Sequence, residues 1–285
     1  MSKILKGAPV AAALNEQIAK DVETLAERGI HPKLAVVRVG ERGDDIAYEK
    51  GVASRCEKVG VGVRKITLPV DTAQAELTNV LKELNADAAI HGVLLFRPLP
   101  KGIDESFVCN TLSPAKDVDG ITDASLAGVF AGIDTGFPPC TPSACMEMLD
   151  HYGVALQGKK AVVIGRSLVV GKPVAMMLLG RHATVTICHT RTTDMYAVCR
   201  EAEVLIVAAG RADVVDKSYL SPNQTVIDVG INVNKDGKLC GDVKFAEAEP
   251  IVAAITPVPG GVGTVTTSVL VKHVVEAAKK QSMQS

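Results

Sequence analysis

The chain has no surplus of either charge sign. Its 285 residues carry 31 Lys and Arg against 32 Asp and Glu, a net charge of −1. Without a basic excess it cannot neutralise a run of phosphates, so duplex nucleic acid is not an expected partner. Long apolar runs are also missing. Mean hydropathy is +0.22, yet the apolar residues come in short pieces such as Val204-Leu205-Ile206-Val207. These fall far below the roughly 20 residues that span a bilayer, and no membrane segment is expected. The stretch from Ala11 to Leu14 is too short for the core of a signal peptide and runs at once into Glu16, so the expected location is the cytoplasm. Among seven cysteines there is no Cys-x-x-Cys. Cys140 and Cys145 have no second pair to complete a zinc site, no metal is expected, and all seven read as small buried hydrophobes. Repeats and low-complexity segments are absent. What is present is an ordinary globular composition, 47% hydrophobic and 22% charged, which excludes disorder, collagen and coiled coil as the main architecture. At roughly 150 residues per domain the length predicts about two domains.

Apolar periodicity alternates between strand and helix. Residues 33–39 (KLAVVRV) predict a strand, 44–58 a helix with Asp44 or Asp45 able to cap it, 63–68 a strand, 73–84 a helix and 91–96 a strand. Two βαβ units of this kind form a parallel sheet. Residues 113–142, with four prolines and four glycines, read as loops around one short helix. Thr141 followed by Pro142 predicts an N-cap and the start of the next helix. A second alternating series follows: strands at 160–165, 184–188, 204–208 and 225–229, a further candidate strand at 251–256, and helices at 171–180 and 193–202. A last helix at 266–281 is expected to return to the first domain.

Three segments carry chemistry. The strand at 160–164 empties into Gly165-Arg166-Ser167-Leu168-Val169-Val170-Gly171-Lys172-Pro173. This is a glycine-bounded strand-to-helix turn, where backbone N–H groups and a helix N-terminus suit a pyrophosphate. It is not a strict GxGxxG, and a plain structural turn is the alternative. The next strand ends Cys188-His189-Thr190-Arg191-Thr192, with no acid before Asp194. NAD sites place an acid there; hydroxyls and cations suit a 2′-phosphate, with Arg166 as a second cation. A solvated basic loop is the alternative. The third segment, Thr256-Pro257-Val258-Pro259-Gly260-Gly261-Val262-Gly263-Thr264, is a rigid glycine-rich loop suited to a flat ligand or to a turn between domains. In Lys116-Asp117-Val118-Asp119-Gly120 an Asx turn accounts for one carboxylate. Tyr48 sits near the carboxyl end of a strand, where ligands bind in open α/β sheets; packing is the alternative.

Together, Gly165-Arg166-Ser167 with Val170-Gly171-Lys172-Pro173, Pro257-Val258-Pro259-Gly260-Gly261-Val262-Gly263, Lys116-Asp117-Val118-Asp119-Gly120 and Pro98-Leu99-Pro100 resemble the methylenetetrahydrofolate dehydrogenase/cyclohydrolase family. The resemblance runs from about Gly7 to Lys280. It implies an α/β fold of two domains with a cleft between them. One is an α/β folate domain, 1–143, completed by the C-terminal helix, 266–285. The other is a Rossmann domain with a doubly wound parallel sheet, 144–265. It also implies NADP, with NAD the lesser choice, a tetrahydrofolate substrate and a homodimer. By the match, Tyr48 stacks on the folate and Asp119 holds the pterin ring. Pro259, Gly260, Gly261, Val262 and Gly263 border the folate and nicotinamide. Gly165, Arg166, Ser167, Thr190 and Ile231 contact the dinucleotide, and Arg191 joins them as the expected cation for the 2′-phosphate.

Two departures stand out. The family pattern has a lysine four residues after the tyrosine, where this chain has Val52. It has a glutamine shortly before Pro-Leu-Pro, where this chain has Phe96 or, one residue on, Arg97. The expected activity is therefore oxidation of 5,10-methylenetetrahydrofolate without the cyclohydrolase step, a separate cyclohydrolase acting in the same cell. The alternatives are a bifunctional enzyme rescued by Lys50, Arg55 or Arg97, and a non-catalytic folate- or nucleotide-binding homologue.

Overall fold

The computed structural model describes residues 2–283. In chain order its elements are β1 (Lys3–Ile4), α1 (Gly7–Ala26), β2 (Lys33–Val39), α2 (Gly43–Lys58), β3 (Gly62–Leu68), α3 (Gln74–Ala86), β4 (Gly92–Leu95), α4 (Glu105–Cys109), α5 (Asp123–Ala131) and α6 (Cys140–His151). There follow β5 (Lys160–Ile164), α7 (Gly171–Gly180), β6 (Thr184–Cys188), α8 (Met195–Arg200), β7 (Val204–Val207), β8 (Thr225–Asp228), β9 (Asn232–Val233), β10 (Leu239–Cys240), α9 (Phe245–Ala248), β11 (Ala254–Ile255) and α10 (Gly263–Ser282). They form two compact units, one of Ala13–Cys140 with Thr267–Ser285, the other of Met1–Ala12 with Thr141–Thr266.

The first unit holds a three-stranded parallel sheet in the order β3-β2-β4. Central β2 is buried from Leu34 onward while edge β3 has no fully buried residue, as expected for a strand covered on both faces against one left partly open. Leu77, Leu81 and Leu84, spaced at helical intervals on α3, pack with Val37, Val93 and Leu95. A Cβ on Gly92 would lie 2.6 Å from a methyl of Val118 and 3.2 Å from one of Val274; glycine there lets β4 approach α10 closely. Gln281 Nε2 donates to His91 O at 3.0 Å, and Lys279 pairs with Asp21 at 2.8 Å, so the C-terminal helix is tied to this unit.

The second unit holds a six-stranded parallel sheet in the order β1-β11-β8-β7-β5-β6. The chain runs from β5 to β6 on one side and then from β7 onward on the other, so the topological switch lies beside β5. Ligands of open α/β sheets bind at the carboxyl ends around that point.

Four expectations change. Residues 1–12 do not group with 13–140. Lys3–Ile4 pairs in parallel with Ala254–Ile255, and a Cβ on Gly7 would lie 2.2 Å from Gly261 O, so the N-terminus is built into the sheet and loop of the second unit. Helix α6 begins at Cys140, so Thr141 is inside it rather than its cap; Pro142 stays in the first turn, where no N–H is needed. Helix α2 starts at Gly43 after Arg42, with no side-chain cap, and Asp44 and Asp45 supply first-turn negative charge instead. The 20-residue α1 was not expected from periodicity, although Val10, Ala11, Ile18 and Leu25 form its buried stripe.

Candidate active site

In the first unit, helix α2 presents Tyr48 at 37% exposure. Its ring meets Phe96 edge-to-face, with centroids 5.9 Å apart and planes at 81°, a favoured aromatic geometry. The phenol end is desolvated. Burial holds it above its ordinary ionisation range, the Asp119 charge adds to the rise, and a hydrogen bond with Thr267 opposes it. Burial pushes the Asp119 carboxyl up to about 6; the Cys140 thiol and the Arg97 charge act against that, the Asp117 charge with it. Cys140 itself is buried, and burial raises its thiol well above the usual range. Its Sγ donates to Val118 O at 3.3 Å. His273 lies beside it with Nδ1 2.9 Å from the same carbonyl, and burial lowers it to about 4. At neutral pH this is a neutral imidazole next to a protonated thiol, an inert pair.

Tyr48, Phe96 and Asp119 therefore come together, joined by Arg97, Cys140 and Thr267. Val52, one turn beyond Tyr48, is fully buried at 0%. Lys50 on the same helix is exposed and Arg55 half-buried. Arg97 faces Glu105 at 3.8 Å. Asp117 is structural. At 0% exposure it accepts from the Ile121 and Thr122 N–H groups at 3.0 and 2.8 Å and from Ser125 Oγ at 2.6 Å. That leaves Asp119 as the carboxyl of this motif available to a ligand.

In the second unit, two cavities open at the carboxyl ends of the strands. One, of about 350 Å³, is lined by Gly165, Arg166 and Ser167 after β5, His189 and Thr190 after β6, and Arg211 after β7. Met195, Val214 and Tyr219 give it an apolar wall. Gly165 has φ +129°, and a Cβ there would lie 2.3 Å from Ala208 O, so only glycine lets the turn press against the β7 loop. The Ser167 hydroxyl accepts from Val170 N–H at 3.1 Å, shaping the entry to α7. Asp194 turns its carboxylate to the first turn of α8 and does not line the cavity. The second cavity, of about 190 Å³, is lined by Ile231 together with Pro259, Gly260, Gly261, Val262 and Gly263. Arg191 lines neither cavity; its side chain is exposed and its backbone N–H bonds His189 Nδ1 at 3.1 Å.

Two family models match nearly end to end. Residues 5–119 fit the catalytic domain of tetrahydrofolate dehydrogenase/cyclohydrolase, and residues 139–282 fit its NAD(P)-binding domain. The chain belongs to this family. A Clostridioides difficile protein named bifunctional protein FolD is 50% identical over 280 residues, covering 98% of each chain. The solved bifunctional FolD of Campylobacter jejuni superposes with a TM-score of 0.95 at 37% identity, covering 98% of this chain and 99% of the other. The Trypanosoma brucei FolD, solved with NADP and an inhibitor, superposes at 0.92 with 32% identity, covering 100% and 99%.

Membership sharpens the departures. The position at which the resemblance implies a lysine is a core valine, and the one implied to be a glutamine is a phenylalanine packed on Tyr48. Sequence reasoning missed Arg211, Cys140 and Thr267. For Arg211 a signal existed: it follows Gly210 at the end of the Val204–Val207 strand, the edge where ligands bind.

Proposed function

We propose that this protein oxidises 5,10-methylenetetrahydrofolate to 5,10-methenyltetrahydrofolate with NADP and releases the methenyl product without hydrolysing it. The observation that carries the reading is the pair of apolar side chains at 52 and 96. Val52 is completely buried and Phe96 packs against Tyr48. Neither has a proton to transfer or a hydrogen bond to give to water.

The chain's residues fit both ligands. The cradle at Gly165 would be filled by a Cβ, the first cavity is lined by cations without an acid, and the second is walled by the proline-glycine loop. The turn backbone at Arg166 and Ser167, which Gly165 holds close to the β7 loop, would receive the pyrophosphate, and the Arg166 and Thr190 side chains the 2′-phosphate. Tyr48 would stack on the folate, and Asp119 would accept hydrogen bonds from the ring N–H groups of the pterin. Bound NADP supplies the hydride acceptor. Hydride transfer from the one-carbon bridge asks the protein for position and exclusion of water rather than for an acid or base. Opening the methenyl bridge is different: water attacks the carbon and a proton must move, and a positioned proton-transfer group is worth roughly 10²–10⁴-fold.

The bifunctional reading is favoured by the names of the relatives, bifunctional proteins at up to 50% identity over nearly the full chain. In that reading Arg97, the cation whose charge acts on Asp119, or Lys50 would take over part of the missing lysine's role. One experiment separates the two. Purified protein with methylenetetrahydrofolate and NADP should produce reduced cofactor while the methenyl product accumulates. Added methenyltetrahydrofolate should decay no faster than in buffer, and Val52→Lys with Phe96→Gln should speed that decay. Enzyme-dependent decay that disappears in Arg97→Ala or Lys50→Ala would establish the bifunctional reading instead. Absence of reduced cofactor would leave only a binding role. In the dehydrogenase reading a separate cyclohydrolase must process the product in the same cell.

A further inference from the structure

The dinucleotide cavity carries more positive charge than a pyrophosphate at a helix N-terminus needs. Its lining includes Arg166 and Arg211, with the hydroxyl of Thr190 and the imidazole of His189, and contains no Asp or Glu. Neither guanidinium has a hydrogen-bond or ion-pair partner among the described residues. The backbone N–H groups of Arg166 and Ser167, in the turn that lines the cavity, provide for the pyrophosphate. Two uncompensated cations in one cavity of about 350 Å³ call for a further dianionic group.

We propose that Arg211 is a second anchor of the dinucleotide 2′-phosphate, working with Arg166, a role that rests on the NADP reading above. The strand order explains how two residues 45 positions apart in the numbering meet. β5 and β7 are neighbours, with Ile164 opposite Val207, so the loops that follow them lie side by side.

Arg211 is also held in place. The carboxylate of Asp242, at 0% exposure, accepts from Gly210 N–H at 2.8 Å and Arg211 N–H at 2.9 Å. The same carboxylate accepts from Asn232 Nδ2 at 2.9 Å, next to Ile231 of the second cavity. Asp242 is therefore a positioning residue that fixes the direction in which the Arg211 side chain leaves the loop. Exposed Arg191, the cation expected from the sequence, does not line this cavity.

The test is calorimetric titration of the full-length protein with 2′,5′-ADP and with 5′-AMP, which share the adenosine and differ in the 2′-phosphate. Arg211→Ala should weaken 2′,5′-ADP about 10- to 150-fold, the span of one charge-assisted hydrogen bond. It should change 5′-AMP by less than about 3-fold, and Arg211→Lys should recover part of the loss, since it keeps the charge and loses the fork. The ratio of KM for NADP to KM for NAD should rise in step. Equal weakening of both nucleotides by Arg211→Ala would place the guanidinium on the adenine instead and overturn the proposal, as would a loss confined to Arg191→Ala. Native protein that binds both nucleotides equally would overturn the NADP reading itself, a result distinct from a failure of Arg211 alone. Thermal melts of each variant establish that it is folded.

Discussion

Replacing Asp119 by asparagine should make the free protein more stable above pH 6 and weaken its hold on folate. Burial raises the Asp119 carboxyl from 3.8 to about 6 in the folded chain. The unfolded chain therefore gives up this proton near pH 4 and the folded chain only near pH 6. Between those values the folded state binds more protons, so stability falls as pH rises through the window. At about 1.4 kcal/mol per pKa unit, a shift of about two units amounts to roughly 3 kcal/mol at pH 7; the residue is partly open to water, so this is a ceiling. Asparagine does not titrate there. The stability gap between Asp119→Asn and native protein should thus be smallest near pH 4 and widen to at most about 3 kcal/mol by pH 7. Asp228 is raised to about 6 as well, but it is present in both proteins and cancels in the difference. Urea denaturation of both at pH 4, 5, 6 and 7 measures the gap directly. A ligand that donates hydrogen bonds to the ionised carboxyl pulls its pKa down, so folate KM in the native protein should rise as pH drops below about 6. A gap that does not change with pH would refute the reasoning, because it would mean that Asp119 titrates alike in the folded and unfolded chains.

Two further outcomes test the elements of the candidate site. Gly165→Ala, whose methyl would sit 2.3 Å from Ala208 O on a backbone at φ +129°, should cost about 1–3 kcal/mol of stability and weaken 5′-AMP and 2′,5′-ADP alike; thermal melts and calorimetry read the two effects. Tyr48→Phe and Thr267→Val should each cost about 1 kcal/mol. Together they should cost clearly less than their sum, since both remove the same hydrogen bond; a double-mutant cycle by urea denaturation checks this.

Much of the fold was legible because its signals are local. The strands at Lys33–Val39 and Thr184–Cys188 and the helix at Gly171–Gly180 have the bounds that apolar runs and glycines predict. Where pairing is non-local, the signal fails. β1 is two residues long and exists only because β11, some 250 residues on, offers it an edge, so no periodicity could mark it or assign residues 1–12 to their unit. β9 and β10 are likewise two-residue strands. Helix α1 did carry a signal, a stripe seven residues apart through Ala11, Ile18 and Leu25, masked by the small side chains between.

For the site, the sequence by itself determined which chemical groups are on offer. Valine at 52 and phenylalanine at 96 are identities that no packing can turn into proton donors. The turn at Gly165 and the lack of an acid between Cys188 and Asp194 are equally readable in one dimension. Which groups face one another was decided by tertiary structure. Strand order sets the loops after both β6 and β7 beside Arg166, and only the folded loops decide that Arg211 lines its cavity while Arg191 does not. The return of α10 brought Thr267 and His273 to a tyrosine and a cysteine more than 120 residues earlier in the chain. Burial, not residue type, raised Asp119 to about 6. Desolvation and charge–charge interaction depend on what surrounds an atom in space, and a linear sequence records only what lies next to it along the chain.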